Sequence, residues 1–209
     1  MEHWIDHLVL AAPSLADGIA HVEVLTGVAP VPGGSHPGRG TCNALASLGA
    51  RTYLEVIAPD PDQPGLERRS FGLADPPSEP RLLAFAVGCA DIDATVDRLR
   101  SAGHAGVGHP AAMTRLRPDG RELAWRLAFI GDAPVGARPF LISWDGGSSP
   151  AVDSPPAGRL VALRAGDTDQ EAAAKLLATL GLDVAVEPAE VPWLSASIET
   201  ASATVTLGA

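Results

Sequence analysis

Residues 6–15 read Asp-His-Leu-Val-Leu-Ala-Ala-Pro-Ser-Leu, and the change of character at Ser14 decides how the rest of the chain is read. Trp4 to Ala12 is a short apolar run with β-type residues. Ser14 then offers a helix N-cap, and Asp17 stands three residues on in the manner of a capping box. Leu15, Ile19 and Val22 fall at i, i+4 and i+7, one face of a helix that Gly27 closes. The same transition recurs twice. Ser14, Asp91 and Asp167 each follow an apolar run, at separations of 77 and 76 residues, and Gly27, Gly103 and Gly181 close the helices at separations of 76 and 78. This spacing argues for one supersecondary unit used three times. Repeated units pair or stack to bury a face that none can bury alone.

Each helix is followed by short strands. In the first unit these are Thr41 to Ser47 and Thr52 to Ala58 around the Gly49 turn, while Pro30 to Gly40 has no periodicity and predicts a loop. The second unit opens at Arg81 to Gly88, and its helix after Asp91 places Ile92, Val96 and Leu99 on one face. Ala112 to Arg117 and Glu122 to Phe129 flank Pro118-Asp119-Gly120, a hairpin signal, and Arg138 to Trp144 ends the unit. In the third unit the helix after Asp167 has Gln170 in the box position. Strands follow around Val184, from Trp193 to Ile198 and from Ala203 to Leu207. The reading is β-α-β-β-β three times, over 1–60, 80–146 and 157–209. Pro- and Gly-rich linkers run from Pro59 to Pro80 and from Gly146 to Gly158.

Composition excludes several classes of function. With 46% apolar and 19% charged residues, the 209-residue chain is globular and can bury a real core. Net charge is −10 and no run of Lys or Arg could clamp a phosphate backbone, so no nucleic-acid partner is expected. No apolar run approaches the roughly 20 residues of a membrane helix. Met1 to Asp6 lacks a basic, then apolar, leader, so a cytoplasmic protein is expected, and Cys42 and Cys89 have no metal-type spacing.

The βαβββ unit resembles the module of the vicinal oxygen chelate superfamily, in which two modules build a cupped sheet around a ligand or metal. The strings DHLVLAAPSL (6–15), GGSHPGRGTCNAL (33–45), YLEVIAPDP (53–61), RPDGRELAWRLAF (117–129) and PFLISW (139–144) are similar to bacterial glyoxalase-like domain proteins. The resemblance implies an α+β fold of repeated βαβββ modules forming a cupped mixed sheet, with a third βαβββ-like unit. That unit must pack on the other two or meet its own copy in a homodimer. It also implies a small-molecule ligand and one of two functions: a lyase or isomerase acting on a small carbonyl or carboxylate compound, or a non-catalytic binding protein of the bleomycin-resistance type. In metal-dependent members a His on the first strand and a Glu on the fourth are ligands of a divalent metal (Zn, Ni, Mn or Fe), and His7 and Glu55 hold those places.

Read as residues, His7 and Glu55 sit inside apolar strands and need a reason to be buried. They either ligate a metal or hydrogen-bond each other or water. Strand alternation puts both in the cup, within about 6 Å, the range over which neighbouring charges matter. The second module sets Ala84 opposite His7 and Leu141 opposite Glu55, so the paired ligands are missing, although His36 or His109 could complete a set. His36 lies in a Gly-Ser-His-Pro-Gly loop shaped to approach a ligand, where it and Glu55 are candidates for proton transfer. Asn43, between apolar residues, must bind ligand or bond the backbone. Arg126, in LAWRLAF, either grips a carboxylate in the cavity or makes a structural salt bridge. Trp144 either stacks on a ligand or joins the core.

Overall fold

The first helix forms where Ser14 caps it. In a computed structural model, which describes residues 2–65, 70–116, 120, 122–131, 134–144 and 149–208, α1 spans Leu15–Thr26. Ser14 Oγ accepts the Asp17 amide at 3.2 Å and donates to the Asp17 carboxylate at 2.6 Å, and Gly27 (φ 75°) ends the helix in the left-handed region. α2 (Ile92–Ser101) is capped by Asp91 and buries Ile92, Val96 and Leu99. α3 (Gln170–Leu180) starts two residues later than expected. Asp169 is its cap, accepting the Ala172 amide at 3.1 Å, while the Gln170 side chain donates to the Val186 carbonyl. Asp167 instead turns inward, 1% exposed, and pairs with Arg138 at 3.0 Å.

Strands β1 (His3–Ala11), β2 (Val31–His36), β3 (Thr41–Ser47) and β4 (Tyr53–Pro59) belong to the first module; β5 (Arg81–Cys89), β6 (Ala111–Leu116), β7 (Glu122–Ala128) and β8 (Phe140–Ser143) belong to the second. They form one cupped sheet in the order β2-β3-β4-β1-β5-β8-β7-β6. The modules join through the antiparallel β1–β5 pair, and inside each module the first strand lies parallel to the fourth. The expected loop at Pro30 to Gly40 holds an edge strand instead. Residues 31–36 pair with β3 through a bulge between Pro32 and Gly34, which hides any period-2 pattern. Gly33 permits this, since a Cβ there would stand 2.4 Å from Asn43 Oδ1. The Pro118-Asp119 hairpin turn, and parts of both linkers, lie outside the described residues.

The third unit keeps the β-α-β-β-β element order but not the wiring. β9 (Arg159–Asp167), β10 (Ala185–Pro188), β11 (Trp193–Glu199) and β12 (Thr204–Gly208) run in the order β10-β9-β11-β12, with β9 between a parallel and an antiparallel neighbour. This sheet and α3 dock on the convex side of the cup. Leu8, Leu10, Phe85 and Val87 from the large sheet share one apolar cluster with Leu163, Leu176, Leu177 and Leu194. Polar ties fix the orientation: His3 contacts the Leu180 carbonyl at 3.1 Å and Thr95 Oγ1 at 3.0 Å, and His104 meets Thr179 Oγ1 at 3.0 Å.

Those histidines make the fold sensitive to acid. Burial lowers the pKa of His3, aided by Arg98, and burial likewise lowers those of His36 and His104. A base whose folded pKa lies below its unfolded value contributes stability that is fully present above the unfolded pKa, near 6.5. That stability is lost as pH falls towards the folded pKa, because the unfolded chain binds more protons there. The melting temperature is therefore expected to fall between pH 7 and pH 5, and His3→Gln to flatten part of that fall in a calorimetric pH series.

Candidate functional site

The concave face of the cup carries one residue in two from each strand. His7 and Val9 come from β1, Asn43 and Leu45 from β3, Tyr53, Glu55 and Ile57 from β4, and Phe140 and Ile142 from β8. All of these but Val9 line a pocket of about 150 Å3, together with Leu123, Trp125 and Leu127 of β7. Six Phe, Tyr and Trp side chains contribute to its wall: Trp125 lies against Trp144 at 6.0 Å, and Phe140 touches both Phe71 and Phe129.

A polar chain crosses this apolar wall. Asp6 and His7 are sequence neighbours, so alternation alone would send them to opposite faces. A bulge in the β1–β5 register between Ile5 and His7 brings them together. His7 Nδ1 lies 2.8 Å from Asp6 Oδ1, and Trp144 Nε1 donates to Asp6 Oδ2 at 2.9 Å. The Asp6 carboxylate is wholly buried. With Nδ1–H given to Asp6, the Nε2 of His7 faces Glu55 Oε2 at 3.6 Å. The imidazole stacks on Tyr53 with centroids 4.6 Å apart. Burial, then the charges of Asp6 and Glu55, raise the Tyr53 pKa well above its usual value, so it stays a phenol.

Glu55 Oε1 accepts the Asn43 amide at 2.6 Å, and the same amide nitrogen lies 3.3 Å from His36 Nε2. His36 Nδ1 is taken by Thr41 Oγ1 at 2.9 Å. Burial first lowers the His36 pKa, against the charge of Glu55, which raises it. A neutral His36 that donates from Nδ1 and accepts at Nε2 fits both contacts.

The structure thus brings together His7, His36, Asn43, Glu55 and Trp144. It corrects Arg126. Trp125 and Leu127 point into the cup, so Arg126 points out of it, where its guanidinium grips Asp93 of α2 through two bonds, at 2.5 and 2.9 Å. Leu141 also faces outward into the core shared with the third unit, and the pocket neighbours on its strand are Phe140 and Ile142. Asn43 binds two side chains rather than backbone. Sequence reasoning missed Asp6, whose only signal is a carboxylate inside an apolar strand, and Arg115. Arg115, on β6, is 6% exposed, lines the pocket and donates to the Gly33 carbonyl.

Among the described residues the donors do not assemble a metal site. The Asn43 amide occupies both Glu55 Oε1 and the Nε2 of His36, which leaves His7 Nε2 and Glu55 Oε2 facing each other. Among the described residues no group of three or more His, Cys, Asp or Glu side chains is placed to hold a metal ion, and zinc generally takes three protein ligands. Dialysis against chelator is expected to leave the melting temperature unchanged; a stoichiometric metal surviving that dialysis, seen by elemental analysis, would contradict this.

Two βαβββ modules joined edge to edge around one pocket, with a His on the first strand and a Glu on the fourth, define a vicinal oxygen chelate protein. The chain matches the family model of the Glyoxalase-like domain over residues 5–181 and belongs to that family. No curated protein matches it. Among solved structures it is similar to a hypothetical protein from Staphylococcus aureus, with a TM-score of 0.65 and 16% identity over 98% of this chain and 84% of that one. Methylmalonyl-CoA epimerases are more distant in shape. That of Streptomyces coelicolor, in complex with 2-nitronate-propionyl-CoA, has a TM-score of 0.46 and 20% identity over 70% of this chain and 98% of that one. That of Mycobacterium tuberculosis has a TM-score of 0.43 and 20% identity over 68% and 87%. No helix among the described residues is long and apolar enough to cross a membrane.

Proposed function

We propose that the pocket is the active site of a lyase or isomerase that moves a proton on a carbon next to a carbonyl group in a small organic compound. One observation carries this reading. Glu55, 8% exposed in an apolar wall, has one oxygen held by Asn43 while the other faces His7 Nε2. A carboxylate fixed in that way is oriented for proton transfer. In the reaction the substrate C–H bond breaks, the proton passes to Glu55 Oε2 and the electron pair enters the adjacent carbonyl as an enolate. In an isomerase a proton returns either to the opposite face of that carbon, from solvent, or from Glu55 to a different carbon of the enolate. In a lyase the electron pair expels a leaving group from the neighbouring carbon instead. Asp6, holding Nδ1–H, fixes which nitrogen of His7 meets the reacting atoms.

The aromatic lining supports a second reading, a protein that sequesters a hydrophobic small molecule without changing it. Proton–deuterium exchange in D2O, followed by NMR on a panel of small ketones, 2-oxo acids and arylacetic acids, separates the two. The expected result is exchange of at least one member, slowed about 10²–10⁴-fold in Glu55→Gln. Binding without exchange anywhere in the panel sinks the enzymatic reading and leaves sequestration.

A further inference from the structure

We propose that Phe71 is the residue that sets how large a ligand the pocket admits. This rests on the reading of the pocket as a ligand site, and it says which compounds fit rather than what happens to them. Six aromatic side chains contribute to the wall. Tyr53, Trp125, Phe129, Phe140 and Trp144 stand on strands of the cupped sheet or directly after one, so the sheet sets their places. Phe71 alone among the six comes from the segment that links the two modules, in a short turn at Ser70–Gly72. Its ring lies 5.6 Å from that of Phe140, which in turn meets the His7 imidazole edge-on at 5.4 Å. Phe140 is 2% exposed and Phe71 is half-buried, so Phe71 stands between the floor of the pocket and solvent.

The backbone shows that this placement is imposed. Among the described residues Phe71 is the one residue other than glycine with positive φ, at φ 57° and ψ 24°. A bulky side chain in that region is a rare outlier, whereas glycine adopts it without strain. Strain of this kind persists only where the surroundings over-determine it, and it gathers at sites that clamp ligands. Here both flanks are tied. The Ser70 amide donates to the Arg39 carbonyl at 3.3 Å, and the Leu73 amide donates to the Ser70 carbonyl at 3.2 Å. Leu73 itself, 2% exposed, is sunk in the same apolar cluster as Phe140. A turn that only connected two modules would be better served by glycine at 71, as it is by Gly72 (φ 71°). What a phenylalanine adds there is the ring, and the ring is pocket wall.

The test compares two neutral ketones of different size against the full chain. Propiophenone is titrated by calorimetry. The naphthyl ketone 2-propionyl-6-dimethylaminonaphthalene is titrated by its own emission, which moves to shorter wavelength in apolar surroundings. Wild type is expected to bind the phenyl ketone more tightly. Phe71→Gly removes the ring and suits the backbone, and it is expected to raise affinity for the naphthyl ketone relative to the phenyl one by about tenfold or more. Phe71→Leu, smaller but still apolar, is expected to raise that ratio by less, and Phe71→Trp to lower it. Melting curves show which variants are folded, and Phe71→Leu carries the test if Phe71→Gly does not fold. Three results overturn the proposal: the ratio is unchanged in the folded variants, wild type takes the naphthyl ketone as readily as the phenyl one, or neither ketone binds wild type or any variant. A ratio that follows residue 71 without deuterium exchange would sink the proposed chemistry and leave this inference standing. Exchange with a ratio indifferent to residue 71 would do the reverse.

Discussion

Asp6→Asn is expected to leave the protein folded and its proton-exchange activity reduced about 10²–10⁴-fold. The Asp6 carboxylate accepts from two donors at once, His7 Nδ1 and Trp144 Nε1. An amide of the same shape has one oxygen and one NH2 group, so it cannot accept from both. If its oxygen serves Trp144, its NH2 faces His7 Nδ1, which must then become the acceptor. The imidazole proton moves to Nε2 and points at Glu55 in the resting site. Nitrogen NMR of His7 reads that tautomer directly, without any substrate. Asp6→Ala removes both acceptors and strands two buried donors, at a cost of about 3 kcal/mol. For a chain of this size that lowers the melting temperature by about 6–12 °C. A wild-type tautomer in Asp6→Asn, or unchanged melting in Asp6→Ala, would show that Asp6 does not position His7.

Gly18→Ala is expected to destabilise the protein by about 2 kcal/mol, although alanine is the better helix former by about 1 kcal/mol. Gly18 is buried on the face of α1 that lies on β4. A Cβ there would stand 2.3 Å from Val56 Cγ1 and 2.9 Å from Ala12 Cβ. Val56 is fully buried and β-branched, so it has little rotamer freedom with which to yield. The overlap outweighs the propensity gain. A double-mutant cycle with Val56→Ala checks the cause, because removing the clashing methyl groups should recover most of the loss due to the helix. Additive effects in denaturant unfolding would contradict the steric account.

The elements were legible where local chemistry alone determines them. Ser14 and Asp91 cap as read, and Gly27 and Gly181 end their helices in the left-handed region, because caps and terminal glycines act over a few residues. Asp167 misled because two aspartates stand close together and only tertiary pairing with Arg138 decides between them. β2 was unreadable for a related reason. A bulged edge strand rich in Pro and Gly has no alternation, and its pairing comes from β3. Within the site, His7 and Glu55 were visible as polar residues in apolar strands, and they do face one another. Parity could have excluded Arg126, since Leu123, Trp125 and Leu127 already claim the inner face of β7. Arg115 had no such signal. Its place depends on β6 curling round to meet β2, a contact between residues 82 apart in sequence.

That curl also bears on how the protein behaves in a crowded solution. An open sheet ends in two rows of unpaired backbone groups that can template another chain. Here the two end strands of the eight-stranded sheet, β2 and β6, are turned towards each other, with Arg115 reaching from one to the other. Pro32 removes a donor from β2, and its bulge spoils the register that an incoming strand would need. The smaller sheet is blunted differently, since its end strands have only four and five residues. Bending the sheet to make a pocket thus also turns its two end strands towards each other, which leaves less open margin for an incoming strand to extend.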